Sequence, residues 1–204
     1  MPPTRNARGL ATARRIEAAA VRLAERRGVE VPTVDAICTE AGVSQRTFFH
    51  HFRTKEDAIL GLDLPVLDED RVRSYLSDPS VGVLSGAVGL VRLPAVRDDD
   101  GEVVLARMRL IASSPALFRR QGERLMPLLH EVRALVRTRL AASAAEGSTT
   151  DEAALDLQAD LVTAIGAALM QAVGVRAVQT GSHPGQDAPQ MLLAALRPVW
   201  DRLL

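Results

Sequence analysis

Side chains that could bind a polyanion are concentrated in residues 45–55, QRTFFHHFRTK. Arg46 and Thr47 carry hydrogen-bond donors of the kind that pair with the edges of bases. His50 and His51 follow within one helical turn, and the segment ends with the only lysine of the chain. Donors and cations in this order suit contact with the bases and phosphates of a nucleic acid.

Three of the four phenylalanines of the chain lie among these polar residues. On a helix, Phe48 and Phe52 lie one turn apart on one face, with Phe49 at the edge of that face. The polar residues then point to the opposite side. Because a helix this short is not stable alone in water, we expect the aromatic rings to be buried and to hold the polar side exposed.

Two helices are predicted before this segment. Thr12 is the expected N-cap of a helix over 13–27, with Gly28 as its stop. A second helix is expected to open with Pro32 and Thr33 and to end at Gly42, because the apolar residues in between follow helical spacing.

The residues on either side of the aromatic cluster predict how its helix is bounded. A short turn containing glycine leads to Ser44, the expected N-cap, which is the sequence form of a helix-turn-helix. Thr54 to Asp57 has the pattern of a capping box and is expected to start a fourth helix through Leu62. Lys55 would lie in the first turn of that helix, a placement that suits a nearby phosphate.

The distribution of charge separates the N-terminal part from the rest. Residues 1–55 contain ten basic and five acidic side chains, whereas the remainder contains 15 basic and 20 acidic ones, and the whole chain has a net charge of zero. A basic N-terminal module that meets a polyanion is therefore expected, followed by a body that does not.

Composition predicts a soluble, cytoplasmic protein without a cofactor or metal. Hydrophobic residues make up 47% of the chain and charged residues 25%, a balance typical of globular proteins. Cys38 is the single cysteine, so an internal disulfide and a cysteine-rich zinc site are excluded. Its place in the helical pattern is a core position. The uncharged run 161–175 is shorter than a membrane span requires, so no membrane association is expected.

Residues 12–62 resemble the DNA-binding domain of the TetR family of bacterial transcriptional regulators. The resemblance rests on TVDAICTEAGVS for the second helix and turn, RTFFHHF for the recognition helix, and TKEDAI for the start of the linking helix. It implies an all-α fold, with a three-helix helix-turn-helix domain and N-terminal arm over 1–62. It also implies a helical ligand-binding and dimerisation domain over 63–204, a homodimer, and a double-stranded DNA operator as partner.

The resemblance also implies roles for individual residues. Gln45, Arg46 and Thr47 would approach bases. The resemblance further implies that a second set of residues contacts DNA phosphates: Thr33, Ser44, Phe49, His50, His51 and Lys55. Position 49 is usually tyrosine in this family, and because Phe49 has no hydroxyl, its contact with DNA can be made only by apolar packing.

Beyond residue 62 the pattern is helical, without the alternation typical of strands. Helices are expected over 102–113 and from Asp151 to about Gln179, and a last helix over 187–204. The uncharged run 161–175 is apolar almost all round, so a partner for its outer face is expected, the simplest being a second copy. The helices 151–179 and 187–204 are the predicted dimer interface, although burial within one subunit is the alternative.

The predicted effector is a small hydrophobic molecule, because aromatic residues are few in this part and aliphatic and methionine side chains are abundant. Guanidinium groups nearby could hold an acidic end, as in a fatty-acyl or acyl-CoA-like compound, and surface ion pairing is the alternative role for each arginine. The candidate pocket residues are Arg107, Met108, Ile111, Phe118, Arg120, Leu125, Leu129, Leu169 and Met170.

The sequence contains no pattern typical of an enzyme, such as a nucleophile motif, a phosphate-binding loop or a zinc-binding histidine pair. We therefore expect a ligand-responsive regulator of transcription, most simply a repressor released from a palindromic operator. The alternatives are a transcriptional activator without a small-molecule effector and a helical protein-interaction module.

Overall fold

The computed structural model describes residues 7–95, 100–143, 151–181, 190–191, 193–196 and 198. Its helices are α1 (Ala7–Arg27), α2 (Val34–Ala41), α3 (Gln45–His51), α4 (Lys55–Leu60), α5 (Glu69–Ser77), α6 (Val83–Gly89), α7 (Gly101–Ser113), α8 (Pro115–Ser143) and α9 (Glu152–Thr180). The described residues from 190 to 198 are also helical. The predicted all-α class is confirmed. The N-terminal arm before residue 7 and much of the predicted last helix lie outside the described residues.

Helix α1 begins earlier than predicted. It starts at Ala7, so Thr12 is an internal residue and the prediction that it is the N-cap is wrong. Its hydroxyl donates to the Arg8 carbonyl one turn earlier, at 3.0 Å. A threonine can bond backward in this way within a helix, and the alanine and leucine before it are good helix formers.

The boundaries of α2 and α3 match the predicted signals. The Thr33 hydroxyl accepts from the Ala36 amide at 3.2 Å, and the Ser44 hydroxyl accepts from the Thr47 amide at 3.1 Å. Gly42 ends α2 with a φ of 63°, in the left-handed region that glycine adopts without strain. The predicted helix-turn-helix is therefore confirmed: Gly42 ends its first helix and Ser44 caps its second.

Helix α4 is shorter than predicted. The Thr54 hydroxyl accepts from the Asp57 amide at 3.1 Å, as expected for the N-cap. The helix ends at Leu60, however, and not at Leu62. The reason is Gly61, whose φ of 77° and ψ of 175° leave the helical region.

The chain separates into two compact units, and the first is discontinuous in sequence. Unit 1 consists of residues 1–63 and 96–123. Its core combines buried residues of α1 to α4 with Ala106, Leu110 and Leu117, which belong to α7 and to the start of α8. The sequence-based division after residue 62 did not include this second segment.

Unit 2 consists of residues 64–95 and 124–204. Its described core contains Tyr75, Leu90 and Val136, packed with Ala159 of α9. Tyr75 is only 1% exposed, and its hydroxyl donates to the Val83 carbonyl at 3.2 Å.

One element of unit 2 was not expected from the sequence. Strands β1 (Val66–Leu67) and β2 (Val91–Arg92) pair antiparallel, with Val66 opposite Arg92. The Asp68 amide extends the pairing by donating to the Leu90 carbonyl at 2.9 Å. Two residues per strand are too few to produce a recognisable alternation.

Helix α9 is apolar along most of its length. By length and composition it could cross a membrane, with a mean hydropathy of 1.7, although the core helix of a soluble protein passes the same test. Large apolar side chains on α9 are exposed in the single chain, including Leu157 at 60% and Leu161 at 53%.

Candidate nucleic-acid-binding surface

The aromatic residues of α3 divide between core and surface. Phe48 and Phe52 are 0% and 3% exposed, with ring centroids 5.9 Å apart. Phe49 is 54% exposed. The two buried rings anchor this seven-residue helix, as the spacing predicted.

The polar side chains of α3 lie on its accessible side. Gln45, Arg46 and His50 are exposed, whereas Thr47 and His51 are half-buried. The rings of His50 and His51 meet edge to face with centroids 5.1 Å apart. Phe49 is one turn beyond Gln45 and Arg46 and therefore extends the same accessible side.

Hydrogen bonds orient the first turn of α3. The Gln45 side-chain amide donates to the Asp35 carboxylate of α2. The hydroxyls of Ser44 and Thr47 bond each other at 2.9 Å. Arg46 makes no ion pair with any other residue that the structure describes, so its guanidinium is available to an external acceptor.

The other predicted phosphate contacts lie beside α3. Thr33 is exposed at the start of α2. Lys55 lies at the start of α4, and its ammonium donates to the Glu30 carbonyl at 2.7 Å. Because that partner is an uncharged carbonyl, the positive charge of Lys55 is not neutralised there.

Several carboxylates in unit 1 are paired with arginines, which limits the repulsion of a polyanion. Glu40 lies 3.0 Å from Arg26 and 3.5 Å from Arg22. The hydrogen bond from Arg26 is the main cause that lowers the pKa of Glu40. Glu40 therefore stays ionised and matched by positive charge.

Three arginines from the second segment of unit 1 also pair with acids of the first. Arg107 binds Glu17, Arg109 binds Glu25 and Arg120 binds Asp57. Sequence reasoning missed the acidic partners because each pair joins residues at least 63 positions apart. A charged residue inside the apolar stripe of α1, Glu17, was the one available signal.

The predicted effector residues are divided between the two units. Unit 1 contains Arg107, Met108, Ile111, Phe118 and Arg120, and unit 2 contains Leu125, Leu129, Leu169 and Met170. Leu169 is buried at 5% exposure and Phe118 is 50% exposed; the other apolar members are half-buried. Arg107 and Arg120 both form ion pairs, with Glu17 and Asp57, which was the alternative role for these arginines.

Unit 2 also contains an open cavity of about 560 Å³, and none of the predicted effector residues lines it. Its walls combine polar and apolar surface and include Arg71, Tyr75, Ser80, Val81 and Gln190. The Gln190 side-chain amide donates to the Ser85 carbonyl at 2.8 Å.

Cys38 lies in the core, as predicted, at 5% exposure. Burial raises the pKa of its thiol, and the Asp35 carboxylate adds to the increase. Among the described residues no cluster of histidine, cysteine and acidic side chains could hold a metal ion.

Comparisons with known proteins agree with this geometry. Residues 16–60 match the profile of the family described as "Bacterial regulatory proteins, tetR family". The HTH-type transcriptional regulator TcmR of Streptomyces glaucescens is 35% identical over 98 residues, which cover 44% of this chain and 43% of TcmR. The chain therefore spans less than half the length of this curated relative.

Two solved structures are similar over most of the chain. A putative fatty acid metabolism regulator of Clostridium perfringens has 11% identity and a TM-score of 0.46, over 87% of this chain and 94% of its own. Salmonella enterica GusR has 20% identity and a TM-score of 0.42, over 92% and 96%. These scores are too low for either likeness to support a further conclusion.

The capped α2–turn–α3 arrangement, with α4 directly after it, defines a helix-turn-helix protein of the all-α class. The match of residues 16–60 places this segment in the TetR family of bacterial regulatory proteins.

Proposed function

We propose that this protein is a DNA-binding regulator of transcription. The observation that carries the proposal is the division of α3 into a buried face, Phe48 and Phe52, and an accessible face where Arg46 has no ion-pair partner among the described residues. A short helix of this kind can enter the major groove with its polar side toward the bases. The match of residues 16–60 to the TetR family supports the same function.

The residues of the accessible side have distinct proposed roles. Gln45, Arg46 and Thr47 contact bases, and Arg46 is the side chain suited to a bidentate bond with guanine. The proposed phosphate side comprises Thr33, Ser44, His50, His51 and Lys55, with Phe49 packing by apolar contact. Thr33 and Ser44 already cap helices, so their hydroxyls can contribute only a remaining lone pair or proton.

A homodimer is proposed to present two copies of α3. The exposed residues Leu157, Leu161, Ala164, Ala168 and Val175 recur at helical spacing along one side of α9. A second copy would cover this apolar side by packing α9 against α9, and the described part of 190–198 would extend the interface. The two recognition helices must then lie about 34–36 Å apart, or a multiple of that distance, to read a palindrome.

The regulator is proposed to be a cytoplasmic repressor released by a small hydrophobic effector, with no cofactor. Half-buried Leu125, Leu129 and Met170, together with Leu169, supply apolar surface in unit 2. Acyl-CoA-like compounds remain the first class to test. Because Arg107 and Arg120 already bind Glu17 and Asp57, an acidic head group could use these arginines only by displacing those carboxylates.

The DNA-binding proposal is tested by incubating the purified protein with fragmented genomic DNA of its source organism and sequencing the retained fragments. We expect a palindromic sequence to be enriched by the wild type and not by an Arg46→Ala, Lys55→Ala double variant. Affinity should fall steeply with salt, because phosphate contacts release counterions. Equal retention of all fragments, or binding insensitive to salt, would favour a protein-interaction module.

A reporter placed behind the recovered operator separates repression from activation, since deletion of the regulator raises expression in the first case and lowers it in the second. Long-chain acyl-CoAs and free fatty acids are then titrated into the protein–operator complex. Failure of every chain length to release DNA or to raise the melting temperature contradicts the acyl hypothesis.

A further inference from the structure

The backbone around the C-terminal end of α4 is held by a buried side chain of α1, Glu17, and a partly buried side chain of α7, Arg107. Arg107 Nε donates to the Ile59 carbonyl at 2.8 Å, and Glu17 Oε1 accepts from the Leu62 amide at 2.9 Å. Arg107 Nη2 and Glu17 Oε2 are 2.8 Å apart, and the two side chains are only 15% and 8% exposed. One hydrogen bond therefore connects α7 to the last turn of α4, a second connects α1 to Leu62 just beyond it, and a third joins the two side chains to each other.

The backbone at Gly61 is shaped to admit this guanidinium. A Cβ at position 61 would lie 2.7 Å from Arg107 Cζ, closer than van der Waals contact permits. Gly61 also has a φ of 77°, which glycine adopts at little cost. Both the chain direction after α4 and the close approach of Arg107 thus depend on this glycine.

The N-terminal part of α4 is held from a different helix. Arg120 of α8 donates through Nε and Nη2 to the two carboxylate oxygens of Asp57, each at 3.0 Å. This bidentate geometry restricts rotation as well as distance. The Asp57 amide is bonded in turn to the Thr54 hydroxyl at 3.1 Å, beside Lys55.

Arg109 provides an internal contrast. It lies on α7, as Arg107 does, but it pairs with Glu25 of α1 and not with a residue of α4. The Arg109 and Glu25 side chains are 44% and 41% exposed, and those of Arg120 and Asp57 are 38% and 24%. The two pairs are therefore similar in type and exposure and differ in the helix they hold.

We propose that Arg107 and Arg120 are positioning residues for DNA binding, which fix both ends of α4 and thereby place Lys55 against a DNA phosphate. Neither arginine belongs to the segment that matches the family profile, residues 16–60. The inference rests on the proposed function, because it assigns a phosphate contact to Lys55. A purely structural role would weaken binding in general. The positioning role predicts that changing either arginine removes one contact, the one between Lys55 and a DNA phosphate.

The test compares Arg120→Gln with Arg109→Gln in the full chain. Each variant loses one positive charge and one partly exposed ion pair, but only the first releases α4. Operator affinity is measured on DNA carrying a neutral methylphosphonate at each backbone position in turn. The phosphate contacted by Lys55 is identified as the position where neutralisation weakens the wild type but not Lys55→Ala.

We expect Arg120→Gln to lose sensitivity at that same phosphate, to bind about three- to tenfold more weakly and to lower the salt slope by about 0.9. Arg109→Gln should keep the sensitivity. Combining Arg120→Gln with Lys55→Ala should add little to either change. If the two arginine variants behave alike, or if the Arg120 and Lys55 effects are additive, the positioning role is wrong.

Gly61→Ala tests the other end of α4 without changing a charge, because the new methyl group must displace Arg107. Gly181→Ala is its control, since Gly181 also has a positive φ but no atom within 4 Å of the place that its new methyl group would take. We expect only Gly61→Ala to lose the Lys55 phosphate contact, and retention of that contact by a folded Gly61→Ala protein overturns the role of Arg107. If the wild type itself binds no DNA, the proposed function fails, whereas wild-type binding with unchanged Lys55 contact in all variants rejects only this inference.

Discussion

The exposed ring of Phe49 meets the buried ring of Phe48 edge to face, with centroids 5.3 Å apart and planes at 85°. Phe49 is therefore held on the accessible side of α3 by a residue of the core. The ring contact restricts the orientation of Phe49 in the free protein.

We predict that Phe49→Tyr strengthens operator binding. A phenol hydroxyl at this position can donate to a phosphate, and one such hydrogen bond contributes about 0.5–1.5 kcal/mol. Phe118→Tyr is the matched control, because Phe118 is similarly exposed at 50% but lies on α8. Fluorescence anisotropy with operator DNA measures both, and an equal change in the two variants would argue against a contact at position 49.

Arg46→Ala and Lys55→Ala should weaken binding in different ways. A bidentate base contact by Arg46 predicts a loss of about 1–3 kcal/mol on the preferred site and little loss on other sequences. A phosphate contact by Lys55 predicts similar weakening on all sequences and a salt slope lower by about one. Titrations on operator and scrambled DNA at several salt concentrations distinguish these results, and identical profiles for the two variants would contradict the assigned roles.

Charge on the exposed side of α9 should prevent dimerisation. Leu161→Glu places a carboxylate on the apolar side proposed to meet a second copy, where burial without a partner is unfavourable. Leu76→Glu is the control, because Leu76 is also exposed, at 38%, but belongs to α5. Light scattering should find a dimer for wild type and Leu76→Glu and a monomer for Leu161→Glu. A folded wild-type monomer at micromolar concentration would exclude the dimer.

Gly86→Ala should destabilise unit 2. An added Cβ would lie 2.4 Å from the ring of Tyr75, and overpacking of this kind costs about 1–3 kcal/mol. Gly122→Ala on α8 meets nothing within 4 Å and should be neutral or slightly stabilising, because alanine favours helices. Urea unfolding measures the free energy of unfolding of each variant. Equal values would mean that Tyr75 can shift to make room for the methyl group without loss of stability.

Asp156 should make the stability of unit 2 depend on acid pH. Hydrogen bonds from Arg137 and then Arg133 lower the pKa of this carboxyl below its ordinary value of about 3.8. A lowered folded-state pKa stabilises the protein above the unfolded-state pKa, and the stabilisation is lost as pH falls through the folded-state value. Asp156→Asn should therefore melt below wild type at pH 7, and the difference should shrink toward pH 3. A difference independent of pH would exclude linkage to this carboxyl.

Short-range features of the fold could be predicted from the sequence because their causes lie within a few residues. The caps at Ser44 and Thr54 and the burial of Phe48 and Phe52 are determined by local spacing. The start of α1 could not be predicted correctly because Thr12 has two local hydrogen-bonding choices, and the structure adopts the backward one.

The long-range features of the candidate site could not be read from local patterns. In the sequence, Arg107 and Arg120 lie among apolar residues, as ligand-binding arginines can. Only the folded structure shows that they form ion pairs with Glu17 and Asp57. The inclusion of residues 96–123 in unit 1 has the same origin. Pairing over such separations depends on how α7 and α8 return to α1 and α4, which no window of neighbouring residues contains.

The discontinuous composition of unit 1 has a consequence for how the protein is made. Glu17 and Arg107 are 90 positions apart, so a nascent chain carries the carboxylate out of the ribosome long before its cation is synthesised. Translation adds about 5–20 residues per second, which leaves the N-terminal helices incomplete for several seconds. A premature stop between residues 63 and 107 would release a helix-turn-helix whose Glu17 has lost its Arg107 cation, in an open and protease-sensitive state.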